Sequence, residues 1–294
     1  MSTTPRISVL IPVYRDWDRL RDCLDALAAQ TWPAEDFEII AINNDHGPAP
    51  AGFERPGLTL LQEPRGHSYA ARNAGLAVAR GQVLAFTDAD CRPEPDWLAA
   101  GWAALQGEAE LVGGRVGIFI ERPGLLAEYD RLFAFPQERY VSQGTSVTAN
   151  LFVKREVFER IGPFNGEMQS SGDFELCRRA GRAGFRLVYA AAAAVQHPAR
   201  DELGALLRKN RRVAGGFRRR EFELAGRSRA ELWRTVLFTM LRPRPRYWWR
   251  LAAGSERTGG LPLSRRLGVM AVVILLYYHF AISVLRRAPE KHEH

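Results

Sequence analysis

The first third of the chain alternates apolar runs of strand length with segments of helical periodicity. The strand-like runs are ISVLIPV at 7–13, FEIIAIN at 37–43, GLTLL at 57–61 and VLAFTDAD at 83–90. Between them, residues 17–30 place Leu20, Leu24 and Leu27 at helical spacing, and residues 68–79 form a second helical segment. This alternation is typical of βαβ units and predicts an α/β fold, a mostly parallel sheet flanked by helices.

The composition is that of an ordinary globular protein. The 294 residues are 46% hydrophobic and 25% charged, which is enough for a substantial core. The three cysteines, Cys23, Cys91 and Cys177, are widely spaced, a pattern that fits neither a disulfide framework nor a zinc site. No long apolar segment with a cleavage site follows the first residues, so we expect no secretory signal and a reducing, cytosolic setting.

Positive charge is concentrated in one segment. Residues 1–199 carry 20 Lys and Arg against 25 Asp and Glu, whereas residues 200–266 carry 18 against 6, a net charge of +12. Such a block suits nucleic acid, an anionic membrane or a phosphorylated substrate. Within it, residues 232–251 interleave tryptophans with arginines and lie close to an apolar run. This neighbourhood favours lipid, and no nucleic-acid partner is expected.

Residues 267–285 form the apolar run, which carries no charged side chain. As a helix it is long enough to cross a hydrocarbon core of about 30 Å. Arginines flank it on both sides, at 265–266 and 286–287, so the positive-inside rule barely orients it. A transmembrane helix, a helix lying in the interface and a buried core helix all stay open, and we expect one of the two membrane-bound forms.

The most informative motif is Thr87-Asp88-Ala89-Asp90-Cys91, at the end of a predicted strand. Two carboxylates one residue apart repel each other unless a cation or hydrogen-bond donors lie between them. Mg²⁺ typically takes one or two protein carboxylates together with substrate phosphate oxygens. The motif therefore indicates a divalent metal that holds a diphosphate, and solvated turn acids are the alternative reading.

Two further loops follow predicted strands, Pro12-Val13-Tyr14-Arg15-Asp16 and Asn43-Asn44-Asp45-His46-Gly47. Ligands of α/β sheets gather at the carboxyl ends of strands, so both loops are candidate floors for a nucleotide base. Turns favour the same residue types on backbone grounds alone, and that simpler reading stays open. A G-x-G-x-x-G after the first strand and a P-loop are both missing, and GGRVG at 113–117 lacks the spacing for either.

Together these stretches resemble the inverting, GT-A-fold glycosyltransferases of family 2 type, which use nucleotide-diphosphate sugars. The opening strand and the acidic base-binding turn of that family are matched by ISVLIPVYRD and FEIIAINND. The family's helix, strand and D-x-D stretch are matched by GHSYAARNAGLAVARGQVLAFTDADCRPEPDWL. Its acceptor block and catalytic-base block are matched by VTANLFVKREVFERIGPFN and SSGDFELCRRAGRAGFRLVY. The resemblance spans residues 6–198 and implies a Rossmann-like GT-A domain.

The resemblance also implies roles for individual residues. It places the donor nucleotide-sugar on Pro12, Tyr14, Asn43, Arg72, Asp88 and Ala89. It places Mg²⁺ or Mn²⁺ on Asp90 and His197, where the metal would stabilise charge on the departing diphosphate. Asp173 matches the general base, which takes the acceptor proton as the acceptor attacks the anomeric carbon opposite the leaving nucleotide. A loop residue for His197 and a helix cap for Asp173 are the simpler readings.

Two positions depart from the family's pattern. Asn43 replaces the usual aspartate of the base turn, and because an amide both donates and accepts hydrogen bonds, the identity of the base stays open. Gly172 stands where an acidic residue commonly precedes the base, which leaves Asp173 as the single carboxylate of that pair. These departures keep one alternative in view, a catalytically silent membrane-bound module that binds nucleotide-sugars.

The sequence thus predicts a membrane-associated inverting glycosyltransferase of cell-envelope or polysaccharide biosynthesis. The acceptor would be a glycan or a lipid-linked molecule, attacked through a hydroxyl or a lipid phosphate. The expected parts are a GT-A domain at 1–199, a basic helical extension at 200–266, a transmembrane or interfacial helix at 267–285 and a short polar tail at 286–294. The location expected is the cytoplasmic face of a membrane, by a single C-terminal anchor or peripherally.

Overall fold

The computed structural model describes residues 4–55, 57–65, 67–255 and 257–286. Residues 287–294, which are most of the predicted polar tail, therefore lie outside the described residues. Residues 1–3, at the start of the chain where no secretory signal is expected, also lie outside them. The chain forms two compact units. The first comprises Met1–Gly117 and Phe135–His197, and the second comprises Ile118–Ala134 and Pro198–His294.

An eight-stranded sheet with the order β3-β2-β1-β4-β7-β6-β8-β5 organises the fold. Its strands are β1 (Ile7–Val13), β2 (Phe37–Asn43), β3 (Leu58–Gln62), β4 (Val83–Thr87), β5 (Arg92–Pro93), β6 (Leu111–Phe119), β7 (Asn150–Lys154) and β8 (Leu187–Pro198). Pairing is parallel among β3, β2, β1 and β4, and antiparallel for β4 with β7, β7 with β6, and β8 with β5. The predicted α/β class is confirmed, with the parallel pairing in the four strands that the βαβ pattern identified.

Helices pack beside these strands in the first unit. They are α1 (Trp17–Ala28), α2 (Ser68–Val78), α3 (Trp97–Leu105), α5 (Gln137–Ser142), α6 (Arg155–Ile161) and α7 (Gly172–Arg182), with a 3₁₀ turn at Ala34–Asp36; α4 (Leu125–Phe133) belongs to the second unit. The predicted periodicity is confirmed in α1, which buries Leu20, Cys23, Leu24 and Leu27. Apolar residues at this spacing form one face, so α1 covers the core with that face.

The core fills both sides of the parallel strands. Strand β1 is buried at six of its seven positions, as expected for a central parallel strand covered on both faces. Phe86 of β4 packs edge to face on Phe164, with ring centroids 5.3 Å apart. The GGRVG segment lies in β6 and serves packing: a Cβ on Gly114 would approach the Ala193 carbonyl oxygen to 2.2 Å. The three cysteines are buried free thiols.

The topology decides where a ligand can bind. Because β1, β2 and β4 run parallel, their carboxyl ends meet at one edge of the sheet. Tyr14 follows β1, the turn at 43–47 follows β2, and Asp88 and Asp90 follow β4. Three loops that are far apart in the sequence are therefore neighbours in space.

The second unit is almost entirely helical. Beside α4 it contains α8 (Leu203–Arg218), α9 (Arg229–Thr235), α10 (Pro245–Ala253) and α11 (Leu263–Leu285), with single π-helical turns at Arg219–Glu223 and Val236–Met240. Among the described residues, α11 is the one helix long and apolar enough to cross a membrane, and 33% of its most apolar stretch is buried. Its buried side chains include Val269, Val272 and Leu276.

Candidate functional site

Arg72 joins the helix α2 to the acidic end of β4. Its Nη2 donates to Asp88 Oδ1 over 2.5 Å, and its Nη1 donates to the Ser68 carbonyl oxygen over 3.3 Å. The guanidinium carbon lies 5.5 Å from the centroid of the Tyr69 ring. Its Nε is buried and has no hydrogen-bond partner among the described residues. A buried donor is almost always paired, so Arg72 has a binding capacity that the protein itself does not fill.

Asp90 faces His197, which arrives from the end of β8. The distance from Asp90 Oδ2 to His197 Nε2 is 3.2 Å, and the imidazole is buried against the Phe135 ring, with centroids 4.8 Å apart. A carboxylate oxygen and an imidazole nitrogen suit Mn²⁺, and the carboxylate also suits Mg²⁺. Within the described ranges no group of three or more His, Cys, Asp or Glu side chains converges. The pair therefore fits a metal whose remaining ligands are substrate oxygens and water.

Asp16, at the start of α1, adds a carboxylate beside this pair. Burial raises the pKa of Asp16 most, Arg19 lowers it, and the charge of Asp90 raises it further. The pKa of Asp16 is raised overall, and part of that rise comes from repulsion between the Asp16 and Asp90 carboxylates. A cation bound at Asp90 would relieve that repulsion.

Asp173 lies buried in the first turn of α7. Its Oδ2 accepts the Thr148 N–H over 3.2 Å, and its Oδ1 accepts the N–H of Phe174 over 2.9 Å. Burial raises the pKa of the carboxyl above its ordinary value. Those two hydrogen bonds, the charge of Arg72 and a hydrogen bond from the Tyr69 side chain act in the opposite direction. Asp173 is thus a buried carboxylate that is held in place and is more basic than a solvated one.

The structure explains why residue 172 is glycine. A Cβ at this position would lie 2.8 Å from two carbon atoms of the Tyr69 ring, so no side chain fits between α7 and α2. The acidic residue common in the family at this point is incompatible with the tyrosine that hydrogen-bonds Asp173. Glycine at position 172 therefore lets the candidate base pack beside Tyr69.

Backbone strain concentrates around the same side chains. Within the described part of the chain, the non-glycine residues with positive φ are Arg15 at 57°, Phe135 at 46° and Ser171 at 64°. Arg15 follows Tyr14, Phe135 packs on His197, and Ser171 precedes the helix that carries Asp173. Strained backbone persists where the surrounding structure enforces it, and such positions cluster at binding and catalytic sites.

The ends of β1 and β2 offer one exposed ring and one buried amide. Tyr14 is 53% exposed, and the Arg15 guanidinium lies 5.0 Å from its ring while pairing with Asp45 over 2.7 Å. Asn43 is buried; its Nδ2 donates to the Gly47 carbonyl over 2.8 Å and to Gln62 Oε1 over 2.9 Å. Its Oδ1 accepts the Asp45 N–H over 3.1 Å. In this arrangement Asn43 shapes the turn, and its amide nitrogen already has two partners.

The predicted site residues form two contacting pairs, a third carboxylate near one of them, and a set at the ends of β1 and β2. Arg72 and Asp88 are in direct contact, Asp90 and His197 are in direct contact, and Asp173 lies within the electrostatic reach of Arg72. Ala89 is buried between the two acids. The remaining donor-side positions, Pro12, Tyr14 and Asn43, line the ends of β1 and β2.

Sequence reasoning missed several members of this site, among them Tyr69, Thr148, Phe135 and Asp16. Tyr69 lies three residues before Arg72 on the same helix, so helical spacing could have identified it. Thr148 acts through its backbone N–H, which leaves no trace in the residue type. The ring of Phe135 reaches His197 across 62 residues of sequence, a contact that only the fold creates.

Comparison with known proteins identifies the family of the chain. The profile of Glycosyl transferase family 2 matches residues 8–162. The glycosyltransferase AglE of Haloferax volcanii is 36% identical over 225 residues, which cover 73% of this chain and 74% of the relative. The match to the family profile ends before Asp173 and His197, so neither residue rests on it.

Solved structures share the fold at lower identity. The mannosyltransferase PcManGT of Pyrobaculum calidifontis, in complex with GDP-Man and Mn²⁺, aligns with a TM-score of 0.59 at 18% identity, covering 99% of this chain and 89% of that one. GalNAc-T7, bound to UDP, GalNAc and Mn²⁺, aligns with a TM-score of 0.52 at 18% identity, over 67% of this chain and 43% of that one. These likenesses show the fold, and the family profile together with the curated relative shows that the chain belongs to glycosyl transferase family 2.

Proposed function

We propose that this protein is a metal-dependent, inverting glycosyltransferase. It would move a sugar from a nucleotide-diphosphate donor to an acceptor in cell-envelope or polysaccharide biosynthesis. One observation carries the proposal: Arg72 pairs with Asp88 of the D-x-D segment and also acts on the buried carboxylate of Asp173. The candidate donor site and the candidate base therefore belong to one electrostatic site inside the first unit.

The donor would bind along the ends of β1, β2 and β4. The exposed ring of Tyr14 offers a stacking surface for the nucleoside, beside Pro12 and the turn that Asn43 shapes. Asp88 is partly exposed and accepts hydrogen bonds, which suits a ribose hydroxyl, with Ala89 behind it. The Nε–H of Arg72, which has no hydrogen-bond partner among the described residues, would bind an oxygen of the nucleotide-sugar.

The residues that would hold a divalent cation are Asp90 and His197. When bound, Mg²⁺ or Mn²⁺ supplies positive charge that stabilises the leaving diphosphate. His197 is buried and held by Phe135, so its ring orientation is set before any ligand arrives. This pre-organisation of a nitrogen ligand supports the assignment of the pair.

Asp173 would act as the general base. A hydroxyl acceptor loses its proton to the Asp173 carboxylate while its oxygen forms the new bond to the anomeric carbon. The bond from that carbon to the diphosphate oxygen breaks on the opposite face, so the configuration inverts. The Thr148 N–H and Tyr69 hold the carboxylate in one orientation for this transfer.

The two acceptor classes make different demands on this base. A hydroxyl must be deprotonated during attack, whereas a phosphate monoester, with a second pKa of about 6, is already ionised near neutral pH. A buried, hydrogen-bonded carboxylate with a raised pKa is therefore needed for a hydroxyl and not for a lipid phosphate. We favour a hydroxyl on a glycan or lipid-linked acceptor.

A donor screen tests the proposal. The full-length protein is incubated with UDP-, GDP- and TDP-sugars, each with Mg²⁺, Mn²⁺ or a chelator, and released nucleotide is measured. Metal-dependent release of nucleotide from one donor class is expected, with water taking the place of the acceptor. Tight donor binding by calorimetry without turnover, even with added acceptor extracts, would instead identify the silent binding module.

A further inference from the structure

Helices α8 and α11 run side by side in the second unit, in the same direction. Leu206 of α8 packs with Val272 and Leu276 of α11, and further along Ala214 packs with Ala281 and Val284. Polar contacts follow the same register: Asn210 Nδ2 donates to the Leu276 carbonyl over 3.2 Å. Arg218 Nη1 donates to the Leu285 carbonyl over 3.1 Å. The two helices are therefore aligned over most of the length of α11.

This alignment decides what α11 can do in a membrane. Helix α8 carries exposed side chains of Arg208, Arg211 and Arg212 beside the middle of the apolar helix. If α11 spanned a bilayer, those guanidinium groups would enter the hydrocarbon region, where charged side chains are costly and rare. A spanning α11 would have to abandon its packing against α8. The pair instead combines an apolar helix with a cationic one, which is the arrangement of an amphipathic surface.

One face of α11 is left without a protein partner among the described residues. The exposed apolar positions Leu267, Ala271, Leu275 and Ile282 recur at intervals of four and seven residues, so they line one side of the helix. Leu275 at its centre is 47% exposed. The opposite side holds the buried residues that pack on α8.

An aromatic and basic margin lies beside this stripe. Trp248 of α10 packs on Tyr277 and Tyr278 of α11, with ring centroids 6.4 and 6.1 Å apart. On the neighbouring segments Trp249 is 70% exposed and Phe238 is 72% exposed. The exposed arginines of the same segments are Arg242, Arg244, Arg246 and Arg250. Indole rings and guanidinium groups together match the headgroup layer of a membrane, and the positive charge matches an anionic one.

We infer that the second unit binds the surface of an anionic bilayer from one side, with α11 lying in the interface and not crossing it. The acyl region would receive the stripe of Leu267, Ala271, Leu275 and Ile282, and the headgroups would contact Trp249 and the arginines. The inference specifies the membrane association predicted from the sequence and does not depend on the proposed chemistry. The protein would thus work at the membrane as a monotopic enzyme.

Vesicle binding gives the first test. The full-length protein is floated with vesicles of phosphatidylglycerol and phosphatidylcholine in equal parts, and with phosphatidylcholine alone. Leu275→Glu is compared with Val78→Glu, a matched control because Val78 is an equally exposed helical residue, at 46%, in the first unit. Leu275→Glu should lower binding to the anionic vesicles about tenfold, because it removes apolar burial and adds a repelled charge. Val78→Glu should bind like the unsubstituted chain.

Topology gives the second test. The native cysteines are buried, so a single cysteine appended at the C-terminus, or introduced as Glu54→Cys in the first unit, is the accessible thiol. Both variants are reconstituted into sealed vesicles and treated with a membrane-impermeant maleimide. A monotopic protein labels equally at both positions without detergent. Labelling of the C-terminal cysteine only after detergent would show that α11 spans, and the inference would be wrong.

Two further outcomes would also overturn the inference. If Leu275→Glu and the unsubstituted chain float equally, the stripe does not contact lipid. If the unsubstituted chain is a dimer in solution without lipid and Leu275→Glu makes it a monomer, the stripe is covered by a second copy. Neither measurement uses a donor or an acceptor, so failure of the proposed glycosyl transfer would leave both results interpretable.

Discussion

As the proposed general base, Asp173 must be both held in place by burial and ionised, and these two demands oppose each other. Burial raises its pKa, while the hydrogen bonds from Thr148 and Phe174 and the charge of Arg72 limit the rise. The result is a carboxylate that is a stronger base than a solvated aspartate. A general base works best when its pKa approaches the working pH.

Replacing Asp173 with Asn should separate catalysis from binding. With a hydroxyl acceptor we expect kcat to fall by about 10²- to 10⁴-fold, because proton transfer is lost in the transition state. Donor Kd, measured by calorimetry, should change little, because Asp173 contributes chiefly to the transition state. A large loss of donor binding with turnover retained at saturation would show that Asp173 serves as a helix cap.

The same substitution has an expected effect on stability with a defined sign. Because the pKa of Asp173 is raised in the folded state, its contribution to stability is complete below the ordinary aspartate pKa and is lost as the pH rises through the raised value. Above the raised pKa the buried carboxylate is ionised at a cost, which Asp173→Asn removes, although the amide keeps only one of the two oxygens that accept the Thr148 and Phe174 N–H groups. The Tm of the unsubstituted chain, measured by thermal unfolding, should therefore fall relative to that of Asp173→Asn as the pH rises through the raised pKa. A Tm difference that moves in the opposite direction with pH would contradict the assigned direction of the pKa shift.

Asp90 can be tested by its dependence on metal. Asp90→Asn should abolish metal-dependent turnover while the fold is preserved, because the residue lies just beyond the end of β4. Asp18→Asn is the control, since the Asp18 carboxylate is fully exposed on α1, and it should keep metal-dependent turnover. Near-normal turnover of Asp90→Asn with metal still required would refute the assignment of Asp90.

At the scale of elements, the meeting of α7 with α2 shapes the candidate active site. Gly172 lets the first turn of α7 lie against the Tyr69 ring, and this closeness brings Asp173 within the reach of Tyr69 and Arg72. The glycine is needed for space and not for backbone conformation, because its φ is not positive. Changes at this contact should therefore act on the base through its position.

Gly172→Ala should impair catalysis without touching a substrate. Its Cβ would approach the Tyr69 ring to 2.8 Å, so α7 or the ring must shift. We expect a loss of about 1–3 kcal/mol of stability from this overpacking, measured by chemical unfolding, together with a lower kcat. Gly181→Ala is the control, because Gly181 lies in the same helix and a Cβ there would meet nothing within 4 Å. Equal effects of the two substitutions would mean that the Tyr69 contact is unimportant.

Within the second unit, a buried carboxylate ties α4 to α8. Asp130 Oδ2 accepts the Arg200 N–H over 2.9 Å, and Asp130 Oδ1 lies 3.5 Å from Lys209 Nζ. Burial lowers the pKa of Lys209 to about 8, an effect strengthened by Arg200 and opposed by Asp130. The carboxylate of Asp130 thus stabilises the positive charge of the half-buried Lys209.

Asp130→Asn should destabilise the second unit by about 3 kcal/mol, because it leaves buried positive charge without this carboxylate. The loss should be larger at pH 7 than at pH 9, since Lys209 is more often neutral above its pKa of about 8. Denaturant unfolding at the two pH values measures both quantities. A loss that is independent of pH would show that the charge of Lys209 does not contribute.

Much of the first unit was predictable because local patterns and tertiary contacts agree there. Strands β1 and β2 occupy the predicted residues, since continuous apolar runs of strand length are typical of a central parallel sheet buried on both faces. The D-x-D acids were predictable from their place at a strand end. The contacts of His197 with Phe135, and of Asp173 with the Thr148 N–H, join distant segments and leave no periodic signal.

At the scale of the whole molecule, composition alone does not decide whether the apolar run 267–285 crosses a membrane or packs in the protein. Hydropathy and length describe it as a candidate membrane span, whereas its packing against α8 depends on side chains more than 60 residues earlier in the chain. Truncation after Arg266 would remove Val272, Leu276 and Val284 from the core clusters of the second unit. Deletion therefore cannot test membrane binding alone, which is why point substitutions on the exposed stripe are preferred.

The truncated chain should accordingly show a selective loss of folding. We expect limited proteolysis to degrade residues 198–266 while the segments of the first unit resist, because the second unit loses several buried apolar side chains. The full-length chain treated in parallel is the control. A truncated chain as resistant as the full-length chain would mean that α11 contributes little to the fold.

The central claim, transfer of a glycosyl group with inversion by a site containing Asp173, is tested most directly at the anomeric carbon. The measurement is proton NMR of the reaction with the donor identified by the screen and a hydroxyl acceptor, following the anomeric signal of donor and first-formed product. The account predicts a product whose anomeric configuration is opposite to that of the donor, formed by the unsubstituted enzyme and almost undetectable with Asp173→Asn. A product with retained configuration, or inverted product formed equally fast by Asp173→Asn, would contradict it.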